Sequence, residues 1–227
     1  MFHWLEKNPF AFALAVFVTI AFAGLIEIIP NFAASSRPVI GTTPYTTLEL
    51  AGRHVYIKNS CNACHSQLIR PFKSETDRYG DYSLSGEYAY DRPFLWGSKR
   101  TGPDLMRVGN YRTTDWHENH MMDPASIVPG TVMPAYPHQF ENIADLDTAY
   151  AEAYTVKTVF ATPYDQDLDG DGKIDVELGD HASAIAKAKA DAKLIAADMK
   201  NKAVKDAVAN GQIPEIVALI AYLNSLK

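Results

Sequence analysis

One apolar run limits what the start of this chain can become. Residues 10–26, FAFALAVFVTIAFAGLI, carry no charge, and apolar residues continue past Glu27 to Ile28 and Ile29. A helix that is apolar on every side must be buried on every side, in a large core or in lipid. Twenty helical residues from Phe10 to Ile29 would span about 30 Å, the thickness of a bilayer core. Glu27 falls in the last turn, and Pro30 is expected to end the helix. His3 and Trp4 suit the opposite interface. A cleaved signal peptide competes, with small residues in FAASS at 32–36. The run is longer than a usual signal core, however, and Lys7 stands beside Glu6. Residues 1–30 are therefore read as an uncleaved membrane anchor. Lys7 against Arg37 is too weak a charge contrast to orient it.

The chain has 227 residues, enough for one good-sized domain or two small ones. A net charge of −6 gives no basic surface for nucleic acid. Two cysteines make no disulfide framework. Residues 31–46 are rich in Ser, Pro, Thr and Gly and read as a linker. A helix is expected from Thr46 or Thr47, with Glu49 in its first turn and Leu48, Leu50, Val55 and Ile57 apolar. It runs straight into a cysteine motif. Residues 73–104 read as loop, 114–122 as a short helix stopped by Pro124, and 123–139 as irregular. Helix returns from Asp145 to Phe160. An Ala/Lys-rich helix follows over 181–209, with Ile185, Ala188, Ala192, Ile195, Met199 and Ala203 at helical spacing. A more apolar helix closes the chain over 213–226. With no convincing strands, the fold class is all-α with long loops.

The motif is Cys61-Asn62-Ala63-Cys64-His65. This is the c-type haem attachment pattern. Two thiols at this spacing can add to the two vinyl groups of a porphyrin, and the next residue's imidazole can then bind the iron. A redox pair would want a βαβ context, which is absent, and a zinc site would need two further ligands. For the second axial position Met133 stands out, in the Pro-rich segment VPGTVMPAYP at 128–137. His117, His120 and His138 are its rivals. His/Met ligation raises the reduction potential and suits electron transfer.

Three blocks carry a family resemblance: CNACHSQLIRPFKSETDRYG (61–80), YDRPFLWGSKRTGPDL (90–105) and VPGTVMPAYP (128–137). They resemble the mono-haem cytochrome c subunit of the cbb₃-type cytochrome c oxidases, the CcoO/FixO family. The likeness takes in the anchor and PYTTLELAGRHVYIKNS (44–60) and spans most of residues 10–140. It implies an anchor followed, over 47–227, by a class I cytochrome c-like domain. It implies thioethers at Cys61 and Cys64, with His65 as proximal and Met133 as distal iron ligand. The Pro103 carbonyl would accept the His65 imidazole N–H. Arg70 and WGSKR (96–100) would contact haem propionates or the catalytic subunit. Ser98 would approach a calcium ion in that subunit. The implied role is electron transfer from a donor cytochrome c, through one haem c, to haem b of a catalytic haem–copper subunit. A di-haem cytochrome c subunit would be a further partner. Thioether-linked haem is fitted outside the cytoplasmic membrane. The expected setting is thus a bacterial inner membrane, with the N-terminus cytoplasmic and residues from about 31 periplasmic. The alternative is a stand-alone anchored cytochrome, a shuttle or a peroxidase-like haem enzyme. No carboxylate pair or nucleophile–base set argues for catalysis by this chain itself.

Residues 140–212 follow the family pattern poorly and read as a divergent helical insertion. Within them, DLDGDGKIDVEL (167–178) has the order of a calcium loop. Asp167, Asp169, Asp171 and Asp175 are candidate ligands. Position twelve is Leu178, and Glu177 comes one residue early. The alternative is a solvated acidic turn between two helices. The final helix resembles the C-terminal helix of class I cytochromes c, which implies that it packs across the first helix of the domain, with Tyr222 in the contact.

Overall fold

The computed structural model describes residues 2–32, 39, 41–97 and 99–227. These residues form helices and loops with no strand, and one isolated antiparallel bridge joins Ile143 to Pro214. They divide into two units, 1–40 and 41–227. Much of the expected linker, including FAASS beyond its first residue, lies outside the described residues, as does Ser98.

In the first unit, α1 (Phe2–Lys7) is followed by α2 (Pro9–Phe32). Residues Pro9–Pro30 have a mean hydropathy of 2.5, long and apolar enough to cross a membrane. Pro30 does not end the helix as expected, because α2 runs on to Phe32. A proline removes one backbone donor and crowds the carbonyl four residues back. Near a helix end that loss is small enough for the last residues to stay wound.

In the second unit, α3 (Thr47–Lys58) starts with a reciprocal cap. The Thr46 hydroxyl accepts the Glu49 N–H at 3.3 Å, and the Glu49 carboxylate accepts the Thr46 N–H at 2.7 Å. Across α3 lies the last helix, α10 (Glu215–Ser225), buried from Glu215 through Leu223. The two backbones touch at Gly52, where a Cβ would lie 1.9 Å from the Ala218 carbonyl oxygen. Tyr222 is fully buried at this crossing, as expected. Its ring meets Tyr45 at 5.8 Å and Tyr56 at 5.5 Å, and its hydroxyl donates to Gln67 Oε1 at 3.0 Å. Arg53 of α3 is also buried in this region. It is 1% exposed, donates to the Arg92 and Pro93 carbonyls, and lies beside Asp91.

Two short helices frame the loops. One is α4 (Lys73–Tyr79), in a stretch read from sequence as loop. The Lys73–Asp77 ion pair at 2.8 Å supports it. The other is α5 (Thr114–Met122), as expected, capped by the Thr113 hydroxyl. Pro124 stops α5 and then occupies the first turn of α6 (Pro124–Ile127), where its missing N–H costs nothing.

Residues 140–212 contribute to the core. Helix α7 (Leu146–Phe160) lays Ala149 and Ala153 against α3, and His54 of α3 pairs with Glu152. Helix α8 (His181–Ala197) buries Ala184, Ala188, Ala192 and Ala196. The single helix expected over 181–209 is two: α9 (Lys202–Ala209) starts anew after a break. The break has a partner. The buried Glu118 carboxylate of α5 accepts the N–H groups of Lys200 and Asn201, both at 2.6 Å. A carboxylate holding two backbone donors outweighs one continued helical turn. The apolar register shifts at the break, so Val204 and Val208 are buried and Ala203 is exposed.

Candidate functional site

The cysteine motif leaves α3 through Ser60, which takes left-handed backbone angles, φ 55°. Residues Cys61–Ala63 then make one 3₁₀ turn, with the Cys64 and His65 N–H groups bonded to the Cys61 carbonyl. Cys61 is buried and Cys64 exposed, both as free thiols. Burial pushes the Cys61 thiol up to about 12.

The segment after the motif pairs with residues 102–105. Gly102 N–H donates to the Cys64 carbonyl, and Leu105 N–H to the Ser66 carbonyl, both at 2.9 Å. This pairing brings the Pro103 carbonyl to 2.9 Å from His65 Nδ1. A carbonyl only accepts, so Nδ1 carries the proton and Nε2 keeps its lone pair. Gly102 lies flat against the ring, and a Cβ there would be 2.3 Å from His65 Cε1. Burial lowers the His65 pKa, which favours the neutral imidazole a metal needs.

Beneath this pairing lies an ionic network the sequence reading missed. Asp104, 1% exposed, accepts from Ser66 Oγ at 2.6 Å, Leu68 N at 2.9 Å and Met106 N at 2.9 Å. Arg100 donates to Ser66 Oγ, to the Leu68 carbonyl and to Glu75. Arg100 and Asp104 flank the Thr-Gly-Pro turn four residues apart, the one signal in the sequence that could have shown the pair. Arg70 also binds Glu75, through its backbone N–H and its side chain. Its guanidinium is half-exposed and is not among the groups that line the cavity of the cysteine motif.

Two arginines hold the Glu75 carboxyl down at about 2, against an ordinary 4.5. A depressed carboxyl adds stability above its unfolded value and loses it as pH falls through the folded one. The thermal midpoint of wild type should therefore fall between pH about 4.5 and about 2 relative to Glu75→Gln. Parallel midpoint curves over that window would refute the assignment.

Cys61, Cys64, His65, Pro103 and Met133 all line one cavity of about 1230 Å³, its open mouth included. Leu219 and Leu223 of α10 line it from the core, α5 forms a side wall, and the 128–136 loop brings Met133. That loop is tied to α5 by Tyr136 N–H on the Met121 carbonyl at 2.8 Å. Among the described residues no carboxylate lines the cavity. Its one charged side chain is Arg112, whose guanidinium lies 4.2 Å from the Trp116 ring centroid. Apolar walls, one cation and a polarised imidazole fit a large flat group with a metal centre and anionic edge groups. Of the rival histidines, the structure brings His117 and His120 to the cavity. His138 bonds Asn59 at 2.8 Å instead.

The family model for "Cytochrome C oxidase, mono-heme subunit/FixO" matches residues 2–227. The chain belongs to this family. No match is found among curated proteins. As a mono-haem subunit of a cytochrome c oxidase, the chain carries one haem and assembles with other oxidase subunits. Its apolar N-terminal helix fits a membrane-anchored member. Among the described residues, the cavity holding the cysteine motif has the residues to receive that haem.

The acidic loop is only partly drawn together. Asp167, Asp169 and Asp175 bring carboxylate oxygens within 4.8 Å of one another, on the surface. Asp171 and Glu177 are outside that group. Asp171 accepts the Lys173 N–H at 2.8 Å instead.

Proposed function

We propose that this mono-haem subunit belongs to a cbb₃-type oxidase and holds haem c covalently through Cys61 and Cys64. The observation that carries this reading is His65, its Nδ1 proton on the Pro103 carbonyl, facing the cavity that Met133 also lines. Haem c supplies one-electron redox chemistry when bound. Cys61 and Cys64 would hold it as thioethers, each S–H adding across one of its two vinyl groups. His65 would give its Nε2 lone pair, with the Pro103 carbonyl fixing that tautomer and raising its basicity. Met133 gives a thioether, and His/Met ligation raises the potential. The apolar cavity excludes water around the group.

The haem so held would carry electrons from a donor cytochrome c to haem b of the catalytic haem–copper subunit. A di-haem cytochrome c subunit completes the complex. The anchor crosses the bacterial inner membrane from the cytoplasm, and the domain is periplasmic. Arg70 is read as a contact to a partner subunit. The role of Ser98 near the catalytic subunit's calcium falls on a residue outside those described. The family is one of oxidase subunits, and nothing observed favours the stand-alone shuttle or peroxidase-like reading.

A pyridine haemochrome assay on the purified full chain should show one c-type haem, reduced or absent in Cys61→Ala and Cys64→Ala. Met133→Leu should lose the sulfur–iron charge-transfer band. A wild type without covalent haem ends the reading, and an unchanged band removes Met133. Mild-detergent purification should bring the haem–copper subunit with the chain. We also read Asp167, Asp169 and Asp175 as ligands of a structural calcium ion, with Asp171 and Glu177 drawn in on binding. Calorimetry should give heat with calcium that Asp169→Ala lacks; no heat in wild type refutes the site.

A further inference from the structure

The cavity has more iron-binding groups than one axial pair uses. Besides His65 and Met133, α5 brings His117 and His120 to its wall, three residues apart on one helix face. The two histidines differ. His117 is 1% exposed, and neither of its ring nitrogens has a hydrogen-bond partner. Its ring meets Trp116 edge-on at 5.4 Å, and burial lowers its pKa to about 4. His120 is 9% exposed, and its Nδ1 is buried without a partner. An unpartnered buried imidazole is costly unless something absent from the protein itself completes it.

His120 is also held in a specific pose. Its ring stacks on Trp116 at 4.4 Å and 20°, and Trp116 in turn carries the Arg112 guanidinium at 4.2 Å. Burial, His65 and Arg112, in that order, lower its pKa and keep it neutral, with a lone pair to give. Met133 has softer support. It sits in an irregular loop next to Val132, which is 80% exposed. The wall that carries His120 is thus a capped, stacked helix, and the wall that carries Met133 is a loop.

We propose that His120 is a reserve ligand for the haem iron, taking the distal position when the Met133 thioether is lost. The proposal rests on the haem reading above. It keeps the iron six-coordinate and closed to small oxidants without Met133. The effect is read as spin state, which a packing role for His120 would not set.

The test uses the full chain in detergent. A haemochrome assay on wild type comes first, because a chain without covalent haem would sink the haem reading and not this inference in particular. Electron paramagnetic resonance then follows Met133→Leu and Met133→Ala, alone and combined with His120→Phe or His120→Gln. The single variants should be low-spin, with two imidazole nitrogens coupled to the iron in ¹⁵N-histidine protein. The double variants should become high-spin. High-spin single variants overturn the proposal, because His120 then does not reach the iron. Low-spin double variants overturn it too, because another group is the ligand. If neither Met133 variant carries haem while wild type does, His120 cannot hold the iron, and the proposal fails.

Discussion

Gly52→Ala should destabilise the domain by roughly 2 kcal/mol, although alanine is the better helix former. The gain from helix propensity is about 1 kcal/mol. Against it stands a Cβ placed 1.9 Å from the Ala218 oxygen, 2.5 Å from its carbonyl carbon and 2.9 Å from Tyr222 Cβ. Two of these three atoms are backbone, so no rotamer change relieves the contact. Helices α3 and α10 must move apart, and between them they hold Leu48, Tyr56, Leu219, Tyr222 and Leu223 in one core. Overpacking of a well-packed core costs about 1–3 kcal/mol and sometimes more. A backbone-to-backbone clash belongs at or above the top of that range, so it exceeds the propensity term. For a domain of this size the melting midpoint should fall by roughly 4–8 °C. Thermal denaturation of the holoprotein followed by circular dichroism reads it. A midpoint equal to or above wild type would mean that the helices cross less closely than this.

Some of this was readable beforehand and some was not, for identifiable reasons. The α3 start was legible because Thr46 and Glu49 form a cap within four residues. The α10 helix was legible because 213–226 is apolar, and its crossing of α3 followed from the resemblance to class I cytochromes c. The break between α8 and α9 was not. It depends on Glu118, some eighty residues earlier, whose carboxylate binds Lys200 and Asn201. Local propensity favours one long Ala/Lys helix, and a distant buried carboxylate overrides it. In the same way, Arg100 stands in the WGSKR block, for which the resemblance implied a contact to haem propionates or the catalytic subunit. The fold turns it inward onto Ser66 and Glu75. The cysteine motif itself marked Cys61, Cys64 and His65 as a group. His120 was marked only as one rival among three histidines, and its stack with Trp116 and Arg112 gains meaning only when α5 lies on the cavity.

Gly102→Ala should act on the site rather than on the fold, and the contrast with Gly52 tests why. Its Cβ would lie 2.3 Å from His65 Cε1, 2.7 Å from Nδ1 and 2.9 Å from Nε2. All three are ring atoms of one side chain, so the clash is relieved by swinging the imidazole. Doing so breaks the Nδ1–H bond to Pro103, about 1 kcal/mol, and forces an off-rotamer ring, about another 1 kcal/mol. The sum of about 2 kcal/mol shifts the balance between aligned and displaced rings by roughly 30-fold. On the proposed haem, His65 would then be a poor axial ligand, and the ferric protein should show a large high-spin fraction. The melting midpoint of the domain should move much less than in Gly52→Ala, because no backbone has to part. A wild-type spectrum in Gly102→Ala would mean that His65 is not held against Gly102 when it binds iron. A midpoint loss as large as that of Gly52→Ala would mean that the 64–66 and 102–105 segments act as structural backbone first, with the ring orientation secondary.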